Sequence, residues 1–181
     1  MSGFRHLADT VLHEGHIITL NRSTFVAPDG TEFEREIIRH PGAVSVVPLL
    51  GNGDVVLVRQ YRAAIDQLVL EIPAGKRDVA DEPTEETAQR ELIEEVGYSA
   101  GRLDLLVKFH NSVGFSNEFS YVYLGQDLTP KPMDRQGVEE SFMELVTVPL
   151  ADTAAMIARG EITDAKTVIG LTMALAQLRE S

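Results

Sequence analysis

The stretch from Gly75 to Tyr98, GKRDVADEPTEETAQRELIEEVGY, decides how this chain is read. Its second half places Glu91, Glu94 and Glu95 at i, i+3 and i+4, which on a helix gathers three carboxylates along one side. Like charges at that spacing cost about 0.2–0.5 kcal/mol per pair. A helix that accepts this cost just before a glycine reads as a site for a divalent cation, and oxygen-only donors suit Mg²⁺ or Mn²⁺ better than zinc. Pro83 suits the first turn, and Thr84, Glu85 and Glu86 suit the positive end of the helix dipole. Ala88, Leu92 and Val96 recur at i+4 and form the expected buried stripe, with Gly97 as the expected stop. Glu91 and Glu95 fall on the neighbouring stripe, at the edge between core and solvent.

Outward from this helix the pattern is mostly β. Upstream, residues 15–38 read as two or three strands with a turn at Pro28-Asp29-Gly30. Residues 43–50 read as an apolar strand. A turn at Gly51-Asn52-Gly53-Asp54 then lets residues 55–60 pair back onto it. A short strand over 68–72 leads into Pro73-Ala74-Gly75. Downstream, strands are expected at 103–110, 119–124 and 142–148, then helices over about 150–159 and 164–178. In the last helix Val168, Leu171, Met173, Leu175 and Leu178 are the expected core or dimer stripe. The interleaving predicts an α+β fold, a mixed sheet with helices packed on it. Residues 1–41 read as an N-terminal antiparallel β extension, too short for a core of its own, and 42–181 as the main domain.

Charge and composition narrow the function. The formal net charge is −12, from 28 acidic and 16 basic residues, which argues against sequence-independent nucleic-acid binding. An anionic small substrate stays open, because bound cations reverse the local sign. With no cysteine there is no disulfide, thiolate catalysis or cysteine-held zinc. The N-terminus lacks a signal-peptide core and no apolar run reaches membrane-span length, so a soluble, cytoplasmic protein is expected. The five histidines show no metal-ligand spacing, and neither a nucleophile elbow nor a P-loop is present.

Gly75, Glu82 and the run Arg90-Glu91-Leu92-x-Glu94-Glu95-x-Gly97-Tyr98 resemble the Nudix box, Gly-x5-Glu-x7-Arg-Glu-U-x-Glu-Glu-x-Gly-U, where U is apolar. From Glu82 onward the match is complete; six residues, not five, separate Gly75 from Glu82. Leu70-Glu71-Ile72-Pro73-Ala74-Gly75, Gln60-Tyr61-Arg62, residues 112–118, residues 160–164 and residues 35–43 are similar to the ADP-ribose pyrophosphatase branch. One departure is Val113, where that branch usually carries proline.

The resemblance implies a Nudix fold, its mixed sheet sandwiched by helices. It also implies hydrolysis of a nucleoside diphosphate linked to a further group, here ADP-ribose, with Mg²⁺ as cofactor and Mn²⁺ as substitute. Glu91 and Glu95 are the expected metal ligands, with Glu94 assisting and the Ala74 carbonyl as a further donor. Arg90 lies i, i+4 from Glu94 and can orient that carboxylate. Glu82 is expected to brace the loop. The general base falls among the acids before the last strand, Glu139 or Glu140, with Glu144 a weaker third. Arg62, Glu118 and Arg35 match substrate-side positions, Arg35 from a partner subunit in a swapped homodimer; each also reads as an ordinary surface or capping charge. Gly114 reads as a tight-turn residue beside them. Two other functions stay open: the same fold acting on another nucleoside diphosphate sugar such as GDP-mannose, and a non-catalytic ADP-ribose sensor.

Overall fold

The computed structural model describes residues 2–135 and 138–180. They form two compact units, one of residues up to Gly42 with Phe109–Phe119, the other of Ala43–Lys108 with the residues from Ser120 onward.

In the first unit, β1 (Arg5–Glu14), β2 (Thr19–Val26) and β3 (Glu32–Arg39) make an antiparallel sheet in that order. The turn between β2 and β3 closes at Ala27–Thr31, with Gly30 at φ 90°. β1 begins ten residues before the expected first strand and is exposed along its whole length, so no burial pattern marks it in the sequence. The sequence pattern alone assigns residues 109–119 to the main domain. They belong with this unit because Ile38 N–H donates to Phe115 O at 2.8 Å and Asn117 N–H to Ile38 O at 3.2 Å.

In the second unit, β4 (Ala43–Pro48) sits centrally in a four-stranded sheet, β7–β4–β9–β8. Here β7 is Ala74–Lys76, β8 Tyr98–His110 and β9 Phe119–Pro130. β4 runs parallel to β9 and antiparallel to β7, so the sheet is mixed. A second sheet orders β10 (Glu144–Pro149), β5 (Asp54–Arg62) and β6 (Gln67–Glu71). The hairpin expected between β4 and β5 does not extend into a ladder. One Leu49–Val55 bridge closes the turn, then the strands part into separate sheets. β4 is buried almost throughout and β5 is buried over Val55–Val58 and at Gln60, so each takes a central place with a neighbour on either side.

Helix α1 (Thr84–Val96) packs Ala88, Leu92 and Val96, all buried, onto Val44, Val46, Val58 and Tyr123. Pro83 is its N-cap, one place earlier than expected, and Gly97 ends it in the left-handed region at φ 72°. Thr84 Oγ1 lies 2.6 Å from Tyr123 Oη, tying the first turn to the sheet. A short α2 (Thr153–Ala158) precedes α3 (Ala165–Glu180). The stripe buried on α3 is Thr167, Gly170, Leu171 and Ala174, whereas Met173 and Leu178 are exposed. The smallest residue marks the contact: a Cβ at Gly170 would meet Val122, Ile72 and Val47 at 3.0–3.2 Å. Alternation along β4 thus offers Val44 and Val46 to α1 and Val47 to α3, which sandwiches the sheet between helices. Leu92→Ala is expected to cost about 2–5 kcal/mol in urea unfolding; a loss below 1 would deny Leu92 its place in the core.

Candidate active site

The helix α1 carboxylates face β7. Glu95 is buried, and its Oε2 accepts the Ala74 N–H at 2.9 Å. Glu91 packs against Gly75 so closely that a Cβ there would overlap its carboxylate. Burial pushes the Glu95 carboxyl up to about 8; the Ala74 N–H opposes this, and the charges of Glu91 and Glu140 add to it. Burial likewise pushes Glu91 up to about 7, against the pull of Arg90.

Arg90 organises the flank. Its Nη1 donates to Glu91 Oε1 at 2.7 Å and to Glu94 Oε2 at 3.3 Å, and its Nη2 to Glu82 Oε2 at 3.3 Å. Burial works against its charge, but Glu82, Glu91 and Glu94 outweigh that and hold its pKa above the ordinary value. Glu82 also accepts from Thr87 Oγ1 at 2.7 Å, fastening the loop to the first turns of α1. The longer loop after Gly75 closes by a turn from Val79 to Glu82, with Asp81 at φ 61°, a conformation that aspartate tolerates. The carboxylate register on α1 is undisturbed.

Ala74, Gly75, Glu82, Arg90, Glu91, Glu94 and Glu95 are therefore brought together. Among the described residues no three acidic or histidine side chains already form a metal cage. The donors present still fit a hard cation: two half-buried to buried carboxylates one turn apart, beside a strand whose Gly75 leaves room for one of them. Mg²⁺ takes one or two carboxylates and completes its shell with water and phosphate oxygens.

The expected base loop includes Gln136 and Gly137, which lie outside the described residues. Glu139 is exposed, at the start of a 3₁₀ turn over Glu140–Phe142. Glu140 is half-buried, and its charge reaches Glu95. Glu144 points away to Arg59, 3.9 Å distant, and is largely exposed.

Arg62 ends β5 and makes a bidentate pair with Glu71, Nε–Oε1 and Nη2–Oε2 both at 2.7 Å. The first unit carries Arg35, Gly114 and Glu118. Arg35 stacks over Phe33 at 4.8 Å and lines a cleft of about 490 Å³ with Phe4, Phe25 and Phe115. Glu118 Oε1 lies 3.9 Å from His40 Nδ1. Gly114 also lines the cleft, but a Cβ there would touch nothing within 4 Å and its φ is not left-handed, so the local turn does not require glycine.

Three contributors carried no role in the sequence reading. Glu71 is a buried carboxylate that ends β6, directly after Leu68-Val69-Leu70, and a charge closing such an apolar run is the available signal. It meets Lys166 at the first turn of α3, beside Asp164. Arg135 donates to Met143 O at 2.9 Å and to Glu95 O at 3.3–3.4 Å, so a cation from another segment serves the C-terminal end of α1. α1 has no basic residue of its own in its last turn.

A mixed sheet between two helices, with Arg90, Glu91, Glu94 and Glu95 ordered along α1 and Glu82 on the loop just before it, defines the Nudix class. The NUDIX domain family model matches residues 39–168, and the chain belongs to this family. Among its relatives, an ADP-ribose pyrophosphatase of Bacillus subtilis (strain 168) is 35% identical, with 97% of this chain and 93% of that protein covered. An ADP-ribose pyrophosphatase of Mycobacterium tuberculosis is 37% identical over 93% and 81%. A methanol dehydrogenase activator of Bacillus methanolicus is 34% identical over 88% and 86%. A crystal structure of an ADP compounds hydrolase superposes with a TM-score of 0.84 at 23% identity, covering 98% of this chain and 95% of that one, which bears on the fold alone.

Proposed function

We propose that the chain is a metal-dependent ADP-ribose pyrophosphatase: water attacks a phosphorus of the diphosphate, the P–O–P bridge breaks, and AMP and ribose 5-phosphate leave. The observation that carries this reading is the pair of carboxylates, Glu91 and Glu95, pressed against Gly75 and Ala74, in a chain similar over nearly its whole length to two ADP-ribose pyrophosphatases. Glu91, Glu95 and the Ala74 carbonyl would hold Mg²⁺ or Mn²⁺, with Glu94 near. Such a cation neutralises phosphate charge and acidifies bound water. Arg90 holds Glu91 and Glu94 in place, and Arg62 offers a guanidinium to the diphosphate.

Glu140 is the favoured base, because of the two neighbouring loop acids it is the half-buried one whose charge is felt at Glu95. Glu140→Gln is expected to lower kcat about a hundredfold with KM little changed, and Glu139→Gln to stay within about threefold of the parent. The reverse ranking in steady-state assays would move the base to Glu139.

The first unit supports a homodimer. Leu7, Val11, Leu12, Ile17 and Ile18 are exposed on or just after β1, more apolar surface than a lone edge strand ordinarily shows. Arg35, Gly114 and Glu118 then serve the nucleotide, with Arg35 reaching a partner's site. No described helix is long and apolar enough to cross a membrane; a cytoplasmic location is part of this proposal, as is the absence of nucleic-acid partners.

Product analysis with ADP-ribose, with and without Mg²⁺, tests the reading. AMP and ribose 5-phosphate formed only with the cation is the expected result, and no turnover across nucleoside diphosphate sugars would defeat it. Val113, in place of the branch's usual proline, keeps GDP-mannose in the substrate panel, compared by kcat/KM.

A further inference from the structure

We propose that Lys166 is a positioning residue for the substrate diphosphate: it shares the charge of Glu71 and so leaves Arg62 free to receive a phosphate. The inference rests on the proposed function in one respect, that Arg62 meets the diphosphate.

Glu71 is 2% exposed, and two cations meet its carboxylate. Arg62 takes both oxygens through Nε and Nη2, while Lys166 Nζ takes Oε2 from α3. Lys166 also pairs with Asp164 Oδ2 at 2.9 Å. Asp164 is fixed in turn by Thr167, whose N–H donates to it at 3.0 Å and whose Oγ1 donates at 2.6 Å. Thr167 Oγ1 closes the loop by accepting Ile72 N–H at 2.9 Å, next to Glu71. Two carboxylates and two cations thus cancel.

The two cations are not equivalent. Lys166 is 15% exposed, whereas Arg62 is 43% exposed. Among the described residues no hydrogen bond engages Arg62 Nη1. Arg62 therefore presents the open edge, and Lys166 is the cation spent inside. Without Lys166 the cluster would carry a net negative charge, Glu71 would depend on Arg62 alone, and an incoming diphosphate would face that excess charge. This predicts a loss of uniform binding, seen in KM and not in kcat.

The experiment compares Lys166→Met, Lys166→Arg and the double variant Glu71→Gln/Lys166→Met by steady-state kinetics with ADP-ribose. Inhibition by inorganic pyrophosphate and thermal unfolding are followed in parallel. Lys166→Met is expected to raise KM and the pyrophosphate inhibition constant about tenfold with kcat within about threefold. Lys166→Arg should restore KM to within about threefold, and removing the Glu71 charge in the double variant should restore both constants. If Lys166→Met does not fold, the double variant decides, because it removes the Glu71 charge together with its cation and leaves Arg62 to balance Asp164, which keeps both bonds from Thr167. A folded Lys166→Met with KM and pyrophosphate inhibition unchanged would overturn the proposal, as would a double variant that stays tenfold weakened. Should the wild type turn over another nucleoside diphosphate sugar in place of ADP-ribose, the constants are read on that substrate and the inference stands or falls separately. Turnover of none ends both.

Discussion

Glu95→Gln lowers kcat for ADP-ribose by at least about a hundredfold and leaves the protein folded. Glutamine keeps the shape of the side chain and an oxygen to accept the Ala74 N–H, so the bond at 2.9 Å survives. What disappears is the negative charge that a hard cation requires. The same substitution has a second signature without metal. The Glu95 carboxyl is raised from an ordinary 4.5 to about 8 by burial, so between those values the folded state holds a proton that the unfolded chain has released. Stability from this group is complete below about pH 4.5 and falls as pH rises toward 8. Metal-free wild type is therefore expected to lose Tm across that window, and Glu95→Gln to lose less. Added Mg²⁺, which competes with the proton, should raise the wild-type Tm more at pH 8 than at pH 6. Wild-type turnover in the variant, or a Mg²⁺ shift equal in both proteins, would exclude Glu95 as a ligand.

Gly75→Ala separates activity from stability. The new Cβ would fall on the Glu91 carboxylate, the far end of a flexible side chain that can swing away. Pairing of Gly75 with Val44 in the sheet is unaffected, because the backbone does not change. Tm should thus shift little, while displacement of Glu91 removes one of two charges proposed to hold the cation. The expected result is a loss in kcat/KM of about a hundredfold, with a raised Mg²⁺ requirement. Full activity at low Mg²⁺ would show that Glu91 need not sit where the structure puts it.

Much of this arrangement was legible in the sequence, and the reason is local. Helix α1 declares itself because its apolar and acidic residues obey one short period, its cap is a proline and its stop a glycine. Ala88, Leu92 and Val96 are accordingly the buried stripe, and Glu91 and Glu95 lie beside it. Where pairing partners are distant the reading fell short. β4 and β5 look like a hairpin because their turn is good, yet β4 pairs with β9 and β7, far along the chain. β1 hides because an exposed strand carries no apolar alternation. On α3 the counted stripe followed large residues, whereas the close packing against Val47, Ile72 and Val122 selects Gly170.

The sequence by itself determined the class, the acidic helix and the register of its carboxylates, since residues a turn apart on a helix need nothing else to align them. Only the tertiary structure decided that Glu71 has two cations, that Arg135 closes the end of α1, and that Glu140 is the half-buried loop acid whose charge reaches Glu95. Those partners are brought together by chain segments 40 to 95 residues apart in the Arg135 and Lys166 contacts. Charge pairing over such separations follows from how the sheets and helices stack, which no local pattern encodes.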